Sequence, residues 1–252
     1  MGTHRDHFLN DSLHDLNLQL KAKGSELYLF EGEPVHVLQD LIKQLKIDAI
    51  YCEEIAAPEE QNELGFIKNL VKDLGIPLHT TWQSSMIDPD ELPFSVDAMP
   101  EQFTQFRIQI EKRKHLFTQP KPVPKVIPPL PEDFKHQQAL KVSPSNCALS
   151  TQSSFPYWKE TFRGGELSAK QHLQQYLQRR LPHSYKKTRN ALFGEDFSSK
   201  FSPWLANGSL SPKVIMVHLK EFEAEFGAND GSYWLWFELL WRDYFRILHL
   251  KW

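Results

Sequence analysis

Cysteine is scarce in this chain: Cys52 and Cys147 are the only two among 252 residues. Two cysteines supply neither a disulfide framework nor a cysteine-rich zinc site. No apolar run approaches the roughly 18 residues that a membrane-spanning helix needs, and the first residues lack the apolar segment of a secretory signal. These absences favour a reducing, cytoplasmic compartment and no membrane partner.

Signature motifs of several enzyme classes are absent as well. The chain has no G-x-S-x-G, no P-loop, no H-E-x-x-H and no G-x-G-x-x-G. Its 11 histidines are scattered, and no pair has the spacing of metal ligands. We therefore expect no metal site, and the sequence gives no support to a hydrolase or a metalloenzyme.

Charge is divided unevenly along the chain, although the net formal charge is only −3. Residues 1–116 hold 11 Lys and Arg against 20 Asp and Glu, whereas residues 117–252 hold 18 against 12. A basic second half suits an anionic partner, such as nucleic acid or a phosphate-bearing cofactor. An ordinary solvated surface explains the imbalance equally well, so charge alone leaves both interpretations open.

Short apolar runs alternate with helical patterns in the first half. A leucine every three or four residues predicts a helix over 8–20, with an apolar stripe of Leu9, Leu13, Leu16 and Leu20. We predict three strands and two intervening helices, the strands at 26–30, 48–52 and 76–80 and the helices at 35–45 and 58–74. Strands separated by helices indicate βαβ units in a parallel sheet. Because the chain opens on a helix, we expect residues 1–117 to form only part of an α/β domain.

Proline marks the end of this first part. Six prolines fall within twelve residues, at positions 120, 122, 124, 128, 129 and 131. Such a run excludes helix and favours extended polyproline geometry. We interpret residues 118–162 as a linker between domains; a ligand for proline-binding domains is the alternative.

Residues 163–252 show only helical patterns. A helix is predicted over 166–181, and Ser202 and Ser211 each precede a proline, as at many helix starts. Gly231 and Ser232 open a last helix that is rich in aromatic residues. The expected fold class is therefore α/β plus all-α, with a partial parallel-sheet domain followed by the first part of a helical domain.

Two segments of the helical part have the residue types of a binding site. Ser198 to Ser202 combines hydroxyls, a lysine and backbone N–H groups at a predicted helix start, which suits a phosphate; an ordinary serine cap is the alternative. The second segment is one helix face that carries Glu238, Trp241, Arg242 and Phe245. That face suits stacking on a flat aromatic group and anchoring of a phosphate, and core packing around a Glu–Arg pair is its alternative.

Several longer sequence segments indicate a protein family by their order and spacing. They are Phe103–Arg107 ahead of the prolines, Arg163–Glu166, Tyr185–Asn190, Lys200–Ala206 and Phe237–Arg246. Together they resemble the photolyase/cryptochrome family, most closely its cryptochrome-DASH branch. The resemblance implies a Rossmann-like antenna domain, a long linker and an all-helical FAD-binding domain.

The resemblance also implies an activity. Family members use blue light and FAD to split cyclobutane pyrimidine dimers, as deoxyribodipyrimidine photolyases, which are carbon–carbon lyases. DASH members are similar to photolyases that prefer single-stranded DNA, and some are considered blue-light sensors. A methenyltetrahydrofolate antenna is a second expected chromophore.

The resemblance assigns roles to single residues. Those expected to bind FAD are Tyr185, Arg242 and, around its phosphates, Ser198, Ser199, Lys200, Phe201 and Ser202. Glu238 and Trp241 are the expected catalytic residues, one hydrogen-bonding a base of the dimer and the other stacking on it. Arg189 and Phe245 complete the expected DNA-binding set, and Glu54 corresponds to a glutamate that holds a folate antenna.

Two departures from the family pattern affect these expectations. The chain lacks the W-F-R-x-D-L-R strand with which members begin. It also lacks the residues that surround the flavin ring in family members. We therefore expect a chain truncated at both ends, with weak FAD binding unless a complementary chain supplies the missing parts. The alternative function is a non-catalytic fragment that binds nucleic acid or a protein partner.

Overall fold

The structure is a computed structural model that describes residues 2–113, 117–130, 149–153, 155–191 and 194–251. Its regular elements are, in chain order, α1 (Thr3–Lys21), α2 (Pro34–Gln44), β1 (Ile50–Glu53), α3 (Pro58–Asp73), β2 (Leu78–Thr81), α4 (Phe103–Glu111), α5 (Glu166–Gln178), α6 (Tyr185–Thr188), α7 (Ser202–Asn207), α8 (Pro212–Phe226) and α9 (Asp230–Lys251). Cys147 and Pro131 lie outside the described residues. None of the described helices has the length and apolarity needed to cross a bilayer.

The predicted α/β class is confirmed by a small parallel sheet. β1 and β2 pair in parallel, with Ile50 opposite Leu78, and α3 connects them as a βαβ unit. Tyr51 and His79 face each other across the sheet and stack with ring centroids 4.7 Å apart. The sequence therefore placed both strands to within about two residues.

The third predicted strand, at residues 26–30, is wrong. Only Leu29 makes an isolated bridge there, and the N–H of Leu27 donates to the side-chain oxygen of Asn17 at 3.0 Å. A run of β-favouring residues becomes a strand only where another strand accepts its backbone hydrogen bonds. Here a side chain of α1 accepts one of them instead.

The chain divides into two compact units. Unit 1 contains Met1–Leu29 and Gln119–Glu238, and unit 2 contains Phe30–Thr118 and Leu239–Trp252. α9 thus contributes its first part to unit 1 and its second part to unit 2. These units join discontinuous segments, so the contiguous ranges 1–117, 118–162 and 163–252 stay a prediction about domain order.

Unit 1 has a core of aromatic rings around Trp204, which is fully buried. The ring centroids of Phe155, Phe8 and Phe162 lie 5.3, 5.8 and 6.1 Å from that of Trp204. The indole N–H donates to the carbonyl oxygen of Arg163 at 2.9 Å. Edge and offset contacts of this kind stabilise aromatic clusters beyond the area that they bury.

The buried face of α1 differs from the predicted leucine stripe. α1 buries His7, Phe8, Asp11 and Ser12, whereas Leu16 keeps 44% of its surface exposed. The Ser12 hydroxyl has two partners, since it donates to the carbonyl oxygen of Phe8 and accepts from the Asn207 amide. Packing within unit 1 therefore outweighs the apolar periodicity of the helix.

The start of α5 lies against α1. A Cβ atom on Gly164 would lie 2.9 Å from the backbone nitrogen of Ser12 and closer still to the carbonyl oxygen of Phe8. The Asp15 carboxylate accepts from the N–H of Glu166 at 2.7 Å, so a residue of α1 satisfies an N–H in the first turn of α5. The glycine permits this close backbone approach.

We expect Gly164→Ala to destabilise unit 1 by about 2–4 kcal/mol, because its Cβ would meet backbone atoms that cannot move alone. Gly65→Ala in α3 is the matched control. No atom lies within 4 Å of the position that its added methyl group would take, so it should be neutral or stabilising by up to about 1 kcal/mol. Urea unfolding followed by circular dichroism would measure both variants. Equal midpoints for Gly164→Ala and the parent chain would refute the close approach.

Asp243 of α9 is fully buried in unit 2, whose buried apolar residues include Met86 and Ile87 after β2 and Phe106 and Ile110 of α4. Its carboxylate accepts from the N–H groups of Met86 and Ile87 at 2.8 and 3.1 Å. Burial raises the pKa of Asp243 to about 7, although Arg242, both N–H groups and Arg246 act in the opposite direction. A residue of α9 therefore fixes the backbone of an irregular segment within the same unit.

The raised pKa of Asp243 predicts that unit 2 loses stability as the pH rises from about 4 to about 7. In this interval the folded state keeps a proton that the unfolded state, with a pKa near 3.8, has released. The loss should reach up to about 1.4 kcal/mol per pH unit.

Unfolding of the parent chain and of Asp243→Asn between pH 4 and pH 7 would test this expectation. The asparagine variant cannot ionise, so its unfolding free energy should change less with pH than that of the parent chain. Equal slopes for the two proteins would show that Asp243 does not titrate in this range.

Candidate functional site

Tyr185, Arg189 and Glu238 come together in unit 1. A guanidinium nitrogen of Arg189 lies 2.7 Å from a carboxylate oxygen of Glu238, and the two side chains are only 26% and 30% exposed. The Arg189 guanidinium also lies over the ring of Trp234, 4.9 Å from its centroid. Tyr185 is buried beside this pair and makes a side-chain hydrogen bond with Arg189.

The contact between the start of α9 and the turn before α6 sets this arrangement. A Cβ atom on Gly231 would lie 2.6 Å from the carbonyl carbon of His183, so only glycine permits the approach. The Asn229 side chain donates to the His183 carbonyl at 3.1 Å, and Lys186 pairs with Asp230 at 2.7 Å. These contacts fix which turn of α9 faces α6.

Electrostatics in this cluster follow from burial and from the arginine. Burial raises the pKa of Tyr185 to about 12, with a further contribution from the nearby Glu238 carboxylate, whereas Arg189 lowers it. Burial also raises the pKa of Glu238, and Arg189 partly offsets that rise. The tyrosine is therefore a neutral hydrogen-bonding group at pH 7, next to an ion pair shielded from water.

The predicted phosphate loop, Ser198–Ser202, also belongs to unit 1. Lys200 has a left-handed backbone with φ of +56°, and Phe201 is buried. Ser202 begins α7 rather than capping it, because Phe201 occupies the N-cap position. α7 is only six residues long, so its dipole contributes less to an anion site than the sequence suggested.

Two ion pairs hold the residues just before this loop. Arg179, at the end of α5, forms a bidentate ion pair with the Asp196 carboxylate, with one N–O distance of 2.7 Å. Lys159 pairs with Glu195. Bidentate arginine–carboxylate pairs fix geometry better than single contacts do, so the loop is tied to α5 before any ligand is bound.

The remaining predicted residues of α9 lie in unit 2. The Trp241 ring stacks on Phe103 with centroids 3.5 Å apart, and Phe245 stacks at 5.5 Å with 55% of its surface exposed. Arg242 donates to the carbonyl oxygen of Ser84, and burial lowers the pKa of Arg242 to about 10. The predicted helical spacing of these residues is present, and their roles toward FAD and DNA stay predictions.

Glu54 follows β1 directly, at the edge where both parallel strands end. Its N–H donates to the carbonyl oxygen of Thr81 at 2.9 Å, and its carboxylate accepts from the Thr80 hydroxyl at 3.2 Å. Ligands of open parallel sheets commonly bind at this edge. The position suits the predicted antenna role, which stays a prediction.

Sequence reasoning missed two groups that the structure brings to these sites. Trp234 was counted only as one of many aromatic residues, and nothing local shows that Arg189 lies over it. His172 shares the face of α5 formed by Ala169, Leu173 and Tyr176, all of them buried. That spacing of three and four residues was a signal available in the sequence.

Within the described ranges, no group of three or more His, Cys, Asp or Glu side chains is placed to hold a metal.

Comparison with solved structures defines the class of protein. A cryptochrome from Synechocystis superposes with a TM-score of 0.87 at 34% identity, over all of this chain and 51% of that one. A bacterial class III photolyase from Agrobacterium tumefaciens superposes with a TM-score of 0.81 at 21% identity, which shows a shared fold. The architecture is thus that of photolyases and cryptochromes.

Sequence comparison gives the family. The DNA photolyase family model matches residues 1–128, and the chain belongs to this family. It is 40% identical to cryptochrome DASH of Xenopus laevis and 37% identical to that of Gloeobacter violaceus, in each case over 99% of this chain. The chain spans about half the length of these relatives, 48% and 49%. The predicted family and its DASH branch are confirmed.

We expect Arg189→Ala to raise the pKa values of both Tyr185 and Glu238, because the arginine is what lowers each of them. Lys187→Ala, which removes an exposed neighbouring cation, is the control and should leave both values nearly unchanged. Carbon-13 NMR of labelled glutamate and tyrosine side chains would follow the two titrations. Unchanged values in Arg189→Ala would show that the ion pair does not form in solution.

Proposed function

We propose that this chain contributes the FAD- and DNA-binding surface of a cryptochrome-DASH-type photolyase that repairs cyclobutane pyrimidine dimers in single-stranded DNA with blue light. The observation that carries the proposal is the shielded Arg189–Glu238 pair beside Tyr185 and Trp234. Its relatives are about twice as long, so the activity of the whole protein is part of the proposal. The scarcity of cysteine supports a reducing, cytoplasmic setting.

The chemistry of the cluster suits a base displaced from its stack. The Glu238 carboxylate accepts hydrogen bonds, and its reduced exposure strengthens them relative to water. Arg189 neutralises Glu238 in the free chain, and its guanidinium also suits a DNA phosphate. A pyrimidine dimer must leave the stack to reach such groups, and damaged bases leave more readily than paired ones.

Trp241 is proposed as the surface on which the dimer stacks. Two rings stack on it: Phe103 is a buried residue of α4, whereas Phe245 is more than half exposed. An exposed ring is displaced at lower cost than a buried one. We therefore assign the stacking position to the side of the indole that Phe245 covers.

The donor groups of the phosphate loop fit an FAD diphosphate. Ser198, Ser199 and Ser202 supply hydroxyls and Lys200 supplies a positive charge, all on a backbone anchored to α5. Tyr185 is proposed to contact the flavin, and the family resemblance makes Arg242 a proposed phosphate ligand. When bound, FAD supplies light-driven electron transfer, and a folate held by Glu54 would supply additional absorbed light.

A second candidate function is a nucleic-acid-binding fragment without catalysis. α6 and the residue after it carry Lys186, Lys187 and Arg189, with Lys187 exposed. Cationic side chains on one short helix support phosphate contacts without any flavin. This function needs no residues beyond those of the chain itself.

The test combines an absorption spectrum with a DNA-binding assay on purified chain. Under the first proposal, added FAD co-elutes with the protein through desalting, and an oligonucleotide carrying a thymine dimer binds more tightly than the undamaged strand. Glu238→Gln should weaken this preference roughly tenfold or more, because a charged hydrogen-bond acceptor to the base is lost. Glu225→Gln, an exposed change on α8, is the control.

Two outcomes separate the candidates. Equal affinity for damaged and undamaged strands, together with no retained flavin, would favour the nucleic-acid-binding fragment. Retained flavin with no preference for the dimer would reject Glu238 as the residue that recognises the base.

A further inference from the structure

His172 lies beneath the phosphate loop, in the second turn of α5. His172 is 8% exposed, and its ring packs against those of Phe162 and Trp204, with centroids 4.9 and 5.1 Å away, and against Phe201 at 5.7 Å. Aromatic packing alone would explain a phenylalanine here. The imidazole, however, also makes a polar contact that a phenyl ring could not make.

That contact is a hydrogen bond to the loop backbone. The Nε2 atom of His172 lies 2.8 Å from the carbonyl oxygen of Ser199. A carbonyl oxygen only accepts, so Nε2 carries the proton and donates. Burial lowers the pKa of His172, and Arg179, just after α5, lowers it further. The bond to Ser199 and the Asp196 carboxylate, just before the loop, act in the opposite direction, but the pKa stays lowered and the ring is neutral at pH 7.

The hydrogen bond fixes the direction of one peptide plane. Because the peptide is planar and trans, its carbonyl and its N–H point in opposite directions. Holding the Ser199 carbonyl toward α5 therefore directs the N–H of Lys200 away from the core. Lys200 is left-handed at φ +56° and Phe201 is right-handed at φ −73° and ψ −18°, a pair of conformations that aligns successive N–H groups into an anion-binding concavity.

The left-handed conformation of Lys200 requires external support. This conformation is unfavourable for a residue with a Cβ atom, and it persists where surrounding contacts determine it. The ion pairs Arg179–Asp196 and Lys159–Glu195 hold the residues before Ser198. The bond from His172 reaches the carbonyl oxygen of the peptide that joins Ser199 to Lys200.

We propose that His172 is a positioning residue that orients the Ser199–Lys200 peptide, so that the loop presents its N–H groups to the diphosphate of the cofactor. The diphosphate rests on the proposed function. The orientation of the peptide does not, because it follows from the hydrogen bond and the backbone angles of the free chain.

The test compares two variants that separate the effect of aromatic packing from the effect of the hydrogen bond. His172→Phe keeps the aromatic packing and loses the donor, whereas His172→Gln loses the ring and places an N–H donor close to the position of Nε2. His218→Gln, on the exposed part of α8, is the control. Nitrogen-15 relaxation gives order parameters for the amides of Lys200 and Phe201, and an FAD titration gives the dissociation constant.

We expect the loop order parameters to fall from about 0.85 to below about 0.6 in His172→Phe and to stay near the parent values in His172→Gln. The dissociation constant for FAD should rise roughly tenfold in His172→Phe and less than about threefold in His172→Gln. In the parent chain, the imidazole nitrogen signals should show the tautomer protonated at Nε2, a readout that needs no variant to fold.

Several results would overturn the proposal. These are a parent tautomer protonated at Nδ1, unchanged loop order in His172→Phe, an equal loss of order in both variants, and equal FAD affinity of the parent and His172→Phe. If the two variants differ in loop order as expected but no protein binds FAD, the proposed flavin function fails and the positioning role of His172 stands.

Discussion

The packing of unit 1 depends on the buried indole of Trp204, which several of its elements contact. The indole touches rings from α1, from the segment before α5 and from α5 itself, and its N–H holds the carbonyl of Arg163. Since α7 begins just two residues earlier, the same indole fixes where the loop ending at Ser202 enters the core. A smaller residue at this position would leave these elements without their shared neighbour, at a cost of about 3–5 kcal/mol for a buried tryptophan.

Side chains that hold the backbone of another segment recur through the molecule. Asp15 holds the first turn of α5, His172 holds the loop at Ser199, and Asp243 holds the segment at Met86 and Ile87. Irregular segments must find partners for buried backbone groups that helices and sheets satisfy internally. In both units, then, polar residues on regular helices give fixed positions to loops, and the predicted phosphate loop of unit 1 is one of them.

Local signals in the sequence located most of the regular elements. Ser211 caps α8 through a bond to the Lys213 N–H, as its place before a proline predicted, and β1 and β2 follow the apolar runs. The prediction of a strand at 26–30 was wrong because a side chain of α1 accepts one of the backbone hydrogen bonds of this segment. The leucine stripe of α1 failed because unit 1 buries the face with Phe8 instead.

The candidate site was less accessible from the sequence than the fold. Helical spacing left a Glu238–Arg242 pair open as the alternative to a binding face, whereas the structure pairs Glu238 with Arg189 and bonds Arg242 to Ser84, which is 158 residues away. Periodicity describes neighbours on one helix, and these partners belong to other elements. Residue types and spacing suggested the two segments, the family resemblance suggested a role for each residue, and the structure supplied their partners.

Two buried titratable residues, His172 in unit 1 and Asp243 in unit 2, respond to acid in opposite directions. His172 prefers to be neutral, so below about pH 6.5 the unfolded chain takes up a proton there more readily, and unit 1 weakens. Asp243 prefers to be protonated, so unit 2 strengthens over the same range. Through these two residues, acid removes stability from the unit that carries the phosphate loop and adds stability to the unit that carries the sheet.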